Sequence, residues 1–69
     1  MDRVSVESSN VASIGYDNTT HVLEVEFKGG QVYQYFGVPE SEWLAFLEAG
    51  SKGSFIWTNL RGKYGYSKV

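Results

Sequence analysis

Between residues 52 and 68 the sequence sets four cations, Lys52, Arg61, Lys63 and Lys68, among Trp57, Tyr64 and Tyr66, with no acid in the interval. Cations neutralise phosphates and aromatic rings stack on bases, so this pattern suits RNA or single-stranded nucleic acid. Intramolecular pairing is the plainer use of the same residues. Residues 1–51 hold all eight acids against Arg3 and Lys28, a net of −6, which the +4 of residues 52–69 can face within one molecule. Trp57 is correspondingly either a rim residue of the core or an exposed platform.

No other motif reaches the standard of a reactive centre. The Gly62-Lys63 pair has Trp57 where a phosphate-binding loop needs its first glycine and Tyr64 where it needs a hydroxyl ligand for magnesium. One histidine and no cysteine leave too few ligands for zinc, and no other metal or cofactor is expected. His21 stands at the start of a strand beside a turn, a place for a solvent-facing or capping side chain. Glu24 and Glu26 project from one strand face roughly 7 Å apart, a spacing used by glycosidase carboxylates. A domain this small offers little cleft in which to raise a carboxyl pKa, so the pair is expected to solubilise its strand. No catalytic residue and no enzymatic activity are expected.

The elements that must position these residues come from a chain of 69 residues with net charge −2. A chain of this length is one domain, and its core depends on a few large side chains. Four Phe, two Trp and five Tyr supply them. The absence of cysteine and of an apolar leader behind Met1-Asp2-Arg3 points to the cytoplasm, and the run Trp43–Leu47 is too short to span a membrane. Asn18-Thr19-Thr20 matches a glycosylation acceptor, which has no meaning without export.

Residues 1–10 are polar and form a short edge strand or a tail. Strands are expected near 11–16, 21–28 and 31–36. Leu23, Val25 and Phe27 alternate with Glu24 and Glu26 as a half-buried sheet requires. Asp17-Asn18-Thr19-Thr20 and Lys28-Gly29-Gly30 supply the turns. Pro39 ends the sheet and suits the first turn of a helix that carries Glu40 and Glu42 near its N-terminus and stops at Gly50. Trp43, Leu44 and Leu47 make its apolar stripe, widened by Phe46, so Trp43 and Leu47 should touch Leu23, Val25 and Phe27. Ser51 caps a second short helix running to about Leu60, which Gly53 weakens. Residues 61–68 are too glycine-rich for a helix and either pack back through their tyrosines or hang loose. The fold expected is α+β, a three-stranded antiparallel meander with two helices packed on one face.

Strand parity decides where Tyr33 and Tyr35 point. A two-residue Gly29-Gly30 loop puts Glu26 across from Tyr33 and makes both tyrosines an exposed aromatic surface beside Glu24 and Glu26. A three-residue loop puts them on the Leu23, Val25, Phe27 side and sends Val32 and Phe36 outward. The two-residue loop is expected because it is the commoner hairpin and keeps Phe36 in the core.

The series Ser8-Ser9-Asn10-Val11-Ala12-Ser13-Ile14-Gly15-Tyr16-Asp17, Leu23-Glu24-Val25-Glu26-Phe27, Tyr33-Gln34-Tyr35, Val38-Pro39, Ser51-Lys52-Gly53 and Arg61-Gly62-Lys63-Tyr64 resembles the KTSC domain. The family is named for its place at the C-terminus of some lysyl-tRNA synthetases and also occurs as stand-alone small proteins. The resemblance covers residues 4–66 and implies a compact β-plus-α module; its association with synthetases suggests RNA. Residues and resemblance together lead to a non-enzymatic binding module. RNA or single-stranded nucleic acid would be held by Lys52, Trp57, Arg61, Lys63, Tyr64, Tyr66 and Lys68. The alternative is a protein-interaction module that recruits or inhibits a cellular or host protein, which the acidic net charge favours. The sequence leaves the oligomeric state open.

Overall fold

The computed structural model describes all of residues 1–69. Five strands form one antiparallel sheet in chain order: β1 (Arg3–Ser5), β2 (Val11–Asp17), β3 (Val22–Phe27), β4 (Val32–Tyr35) and β5 (Tyr66–Lys68). Helix α1 (Glu40–Glu48) and the short α2 (Lys52–Phe55), which runs on into a π-helical turn over Ile56–Leu60, connect β4 to β5. The fold is α+β, but the expected three-stranded sheet gains an edge strand on each side. Residues 3–5 join β2, and the glycine-rich end returns to pair Tyr35 with Tyr66 and Tyr33 with Lys68. No helix is long and apolar enough to cross a membrane.

The hairpin between β3 and β4 has three loop residues. The Phe27 amide donates to the Gln31 carbonyl at 2.9 Å, and the Gly30 amide donates to the Phe27 carbonyl at 2.9 Å. Gly30 takes φ +97°, a left-handed backbone that side-chain-bearing residues adopt with strain, and so supplies the third loop position. Register follows: Val25 faces Tyr33, Leu23 faces Tyr35, and Glu26 faces Val32. The outward placement expected for Tyr33 and Tyr35 is therefore wrong. Both lie on the Leu23 and Val25 side, Tyr35 is buried, and Phe36 is pushed out to 42% exposure.

That side carries the core: Val11, Ile14, Leu23, Val25 and Tyr35 from the sheet, closed over by Phe46, Ile56 and Leu60. Helix α1 is rotated by about one position from the expected stripe. Phe46 is fully buried and stacks on Phe55 at 5.0 Å, whereas Leu44 and Leu47 are 53% and 40% exposed. Trp43 packs at the margin, stacked on Tyr16 at 5.6 Å. The expected contact of Leu47 with the sheet is replaced by that of Phe46. Helix α1 also stops before Gly50: the Lys52 ammonium donates to the carbonyls of Leu47 at 3.2 Å and Ala49 at 2.6 Å, satisfying groups that a helix end leaves unpaired. Ser51 caps α2 as expected, its hydroxyl accepting from the Ser54 amide at 3.2 Å.

The opposite face is polar and cross-linked. Arg3 reaches Glu24 at 3.4 Å, the Gln34 amide donates to Glu24 at 2.9 Å, and the Ser13 hydroxyl donates to Glu26 at 2.8 Å. Gly15 makes room for β1, since a Cβ there would stand 2.6 Å from the Asp2 carbonyl oxygen and 2.9 Å from Arg3 Cγ. The two glutamates that suggested paired-carboxylate chemistry are thus held apart by separate partners.

Candidate functional site

Two adjoining clefts open on the helical side of the sheet. The larger, of about 350 Å³, lies between the Ser9-Asn10 turn, the start of α2, and Trp57 with Arg61; Phe27 and Ile56 give it an apolar wall. The smaller, of about 130 Å³, is bounded by Phe27, Tyr33, Tyr35, Tyr66 and Arg61. Arg61 and Phe27 border both, so the clefts form one groove. The sequence led us to expect little cleft; the returning β5 strand and the π-helical turn build one.

The π-helical turn sets the geometry at the centre. The Arg61 amide donates to the Ile56 carbonyl at 2.8 Å, five residues back, which widens the last turn of the helix. Ile56 and Leu60 stay buried while Trp57 and Arg61 emerge on the same side. Trp57 is 67% exposed, and the Arg61 guanidinium carbon lies 4.3 Å from its ring centroid, a cation–π contact. The exposed-platform alternative for Trp57 is the one the fold adopts. No carboxylate lies within ion-pair distance of Arg61: the ion pairs of the molecule join Arg3 to Glu24 and Lys63 to Glu42.

The seven residues singled out for nucleic acid separate into two sets. Trp57, Arg61 and Tyr66 line the groove, and Lys68 lies across from Tyr33 on the same side of the sheet. Tyr66 is 54% exposed and tilts against Tyr33 and Tyr35 at 6.0 and 5.8 Å between ring centroids. Lys52, Lys63 and Tyr64 are committed elsewhere. Lys52 closes the end of α1. Lys63 pairs with Glu42 at 3.2 Å, and the Tyr64 hydroxyl donates to the same carboxylate at 3.1 Å. The hydrogen bond that the Lys63 ammonium donates to Glu42 holds it above its usual range, and burial followed by the bond to Glu42 raises Tyr64. Burial likewise raises Tyr35, against the pull of the Arg61 charge.

Seven residues of the larger cleft were missed from the sequence as parts of a site: Phe27, Ser51 and Ile56, read there only as strand, cap and core residues, and Ser9, Asn10, Gly53 and Ser54. Of the last four, Gly53 alone carried a local signal, a glycine inside a segment otherwise reading as helix. His21 is exposed in a left-handed turn position, φ +59°, and its backbone alone is bonded, to Asp17 and Val38. No three His, Cys, Asp or Glu side chains gather where they could hold a metal ion.

Comparison with known proteins accords with this architecture. Residues 7–64 match the model of the KTSC domain. The fold superposes on the crystal structure of a KTSC domain protein from Yersinia pestis with a TM-score of 0.92 and 42% identity, covering 99% of this chain and 96% of that one. An uncharacterized protein of Stutzerimonas stutzeri (strain A1501) is 47% identical over 53 residues, 77% of this chain and 75% of its own length. A lysine–tRNA ligase of Trichormus variabilis is 35% identical over 63 residues, 91% of this chain but 11% of the ligase. With the family model spanning most of the sequence and the superposition spanning nearly all of the fold, the chain belongs to the KTSC domain family.

Proposed function

We propose that the chain is a non-enzymatic module that binds single-stranded RNA in the groove lined by Trp57, Arg61 and Tyr66, with Lys68 on the same side of the sheet. The observation that carries this is Arg61: a guanidinium stacked on an exposed indole, without a carboxylate partner, where two clefts meet. Such a group meets a phosphate at little cost in broken contacts, and the neighbouring rings offer faces to bases. Similarity to part of a lysine–tRNA ligase, an enzyme that acts on an RNA, supports the same partner class. The cysteine-free composition suits a cytoplasmic site of action.

Fluorescence anisotropy of a labelled, unstructured RNA tests it. With two available cations the salt slope should be about −1.4, so affinity should fall about sevenfold between roughly 50 and 200 mM salt. Tyr66→Ala should remove a stacking contribution of about 1–3 kcal/mol without changing that slope. A wild-type protein that binds no RNA at low salt would sink the proposal.

Leu44 and Leu47, exposed three residues apart on α1, support a second reading: an apolar helix face that recruits or inhibits another protein. Capture from lysate with and without ribonuclease separates the two, because an RNA-mediated complex is lost on digestion and a direct protein complex is retained.

A further inference from the structure

Gly53 is unexplained by the fold. It lies in α2, where alanine is the better helix former, and its φ is not in the left-handed range. A Cβ built on it would find its nearest neighbour at 3.8 Å, an ordinary contact with Asn10 Nδ2. A side chain there would nonetheless enter the 350 Å³ cleft, of which Gly53 and Asn10 are facing walls. The fold gains nothing from the missing methyl; the cleft gains space.

The groups around that space are those a nucleotide requires. The Asn10 side-chain amide and the Ser9 and Ser54 hydroxyls make no hydrogen bond within the protein, although the Asn10 backbone is fixed by the Ser8 hydroxyl and by Lys28. An amide presents a donor beside an acceptor, which matches the amine and ring nitrogen of adenine or cytosine, and the space left at Gly53 suits the larger adenine ring. Phe27, Ile56 and Trp57 supply apolar wall for a planar ring system, and Arg61 stands at the mouth where an attached phosphate would lie.

We infer that the cleft takes one unpaired adenine nucleotide, its base against Gly53 and bonded to Asn10, its phosphate on Arg61. This rests on the RNA reading of the groove and adds a base preference to it; the nucleotide can come from an RNA strand or be free in solution. Gly53→Ala and Asn10→Ala are the informative variants, because neither removes a contact that holds the fold together, and thermal melting should show both folded.

The measurement compares oligo(A), oligo(U) and oligo(C) RNA by anisotropy, and adenosine monophosphate by calorimetry, on wild type and both variants. Oligo(A) should bind about tenfold more tightly than the other two, and each variant should lose that margin. Equal affinity for the three oligomers, or a preference for oligo(C), overturns the adenine site and leaves general RNA binding standing. Binding of adenosine monophosphate that Gly53→Ala abolishes, with no RNA bound, upholds the nucleotide site and removes the strand. No binding of any of these probes overturns both.

Discussion

Arg61 and Lys63 stand two residues apart in the same glycine-flanked segment, and the fold treats them in opposite ways. Lys63 turns toward α1, where Glu42 takes both its ammonium and the Tyr64 hydroxyl. Arg61 turns toward the groove and rests on an indole. A count of charge along the segment scores the two alike; what separates them is whether an acid lies within reach on the neighbouring element. A basic run is therefore a set of candidates, and the acids of the same fold decide which of them remain available to a partner.

The comparison depends on α1 being fixed, because Glu42 rides on it. Its most severe test is Phe46→Ala, which should cost about 3–5 kcal/mol as a fully buried aromatic, enough to unfold much of so small a domain. Leu47→Ala should cost far less, about 1 kcal/mol or below, because Leu47 is 40% exposed. Denaturant midpoints of the pair measure this, and a reversed order would show that the helix is rotated the other way.

Gly15→Ala should come next. The added methyl must displace the backbone at Asp2 and the Arg3 side chain, an overpacking cost of about 1–3 kcal/mol with loss of the Arg3–Glu24 pair. Amide chemical shifts should then report β1 released while β4 and β5 are unmoved.

Arg61→Ala and Lys63→Ala address the comparison directly. Arg61→Ala should leave stability within about 0.5 kcal/mol and lower the RNA salt slope by about 0.7. Lys63→Ala should leave RNA affinity unchanged and lower the thermal midpoint slightly. Equal effects of the two on RNA binding would erase the distinction.

The smallest effect is in the pH dependence. Lys63 and Tyr64 both have raised pKa values in the folded state. Their contribution is present below the unfolded values near pH 10 and is lost as pH rises through the folded ones. Glu42→Gln should flatten this alkaline decline. Asp17, lowered chiefly by the Thr19 amide, acts in the other direction: its contribution is present above about pH 4 and fades as pH falls further.

Period-two alternation in Leu23–Phe27, the turn residues between strands, Pro39 and the Ser51 cap made the central sheet and the helix starts legible in the sequence. Three things were not. Trp43, Leu44, Phe46 and Leu47 are four large apolar residues in five, a pattern too dense to define which side of α1 faces inward. Lys28-Gly29-Gly30 fits a two- or a three-residue loop, and that single residue reverses the face of Tyr33 and Tyr35. The strand Tyr66–Lys68 is three residues long and wholly exposed, so it leaves no burial pattern to read. The groove inherits the last two. It is assembled from the Ser9-Asn10 turn, the α2 start and β5, segments far apart in the chain that no spacing rule connects.

Strand β5 pairs with β4 only after the chain has run out from Tyr35 over both helices and come back, and it meets the sheet along a single edge with no buried residue of its own. The last side chain anchored before it is Tyr64, on Glu42, so main-chain pairing is most of what holds the three exposed residues in place. The strand is accordingly a local opening unit, whose amides should exchange with solvent deuterium faster than those of β2 and β3. Because Tyr66 borders the smaller cleft, opening of that strand should remove one wall of the groove and leave the Trp57–Arg61 stack in place. A bound strand of RNA would act as a latch, and slowed exchange at Ser67 and Lys68 would report occupancy of the groove from its outer edge.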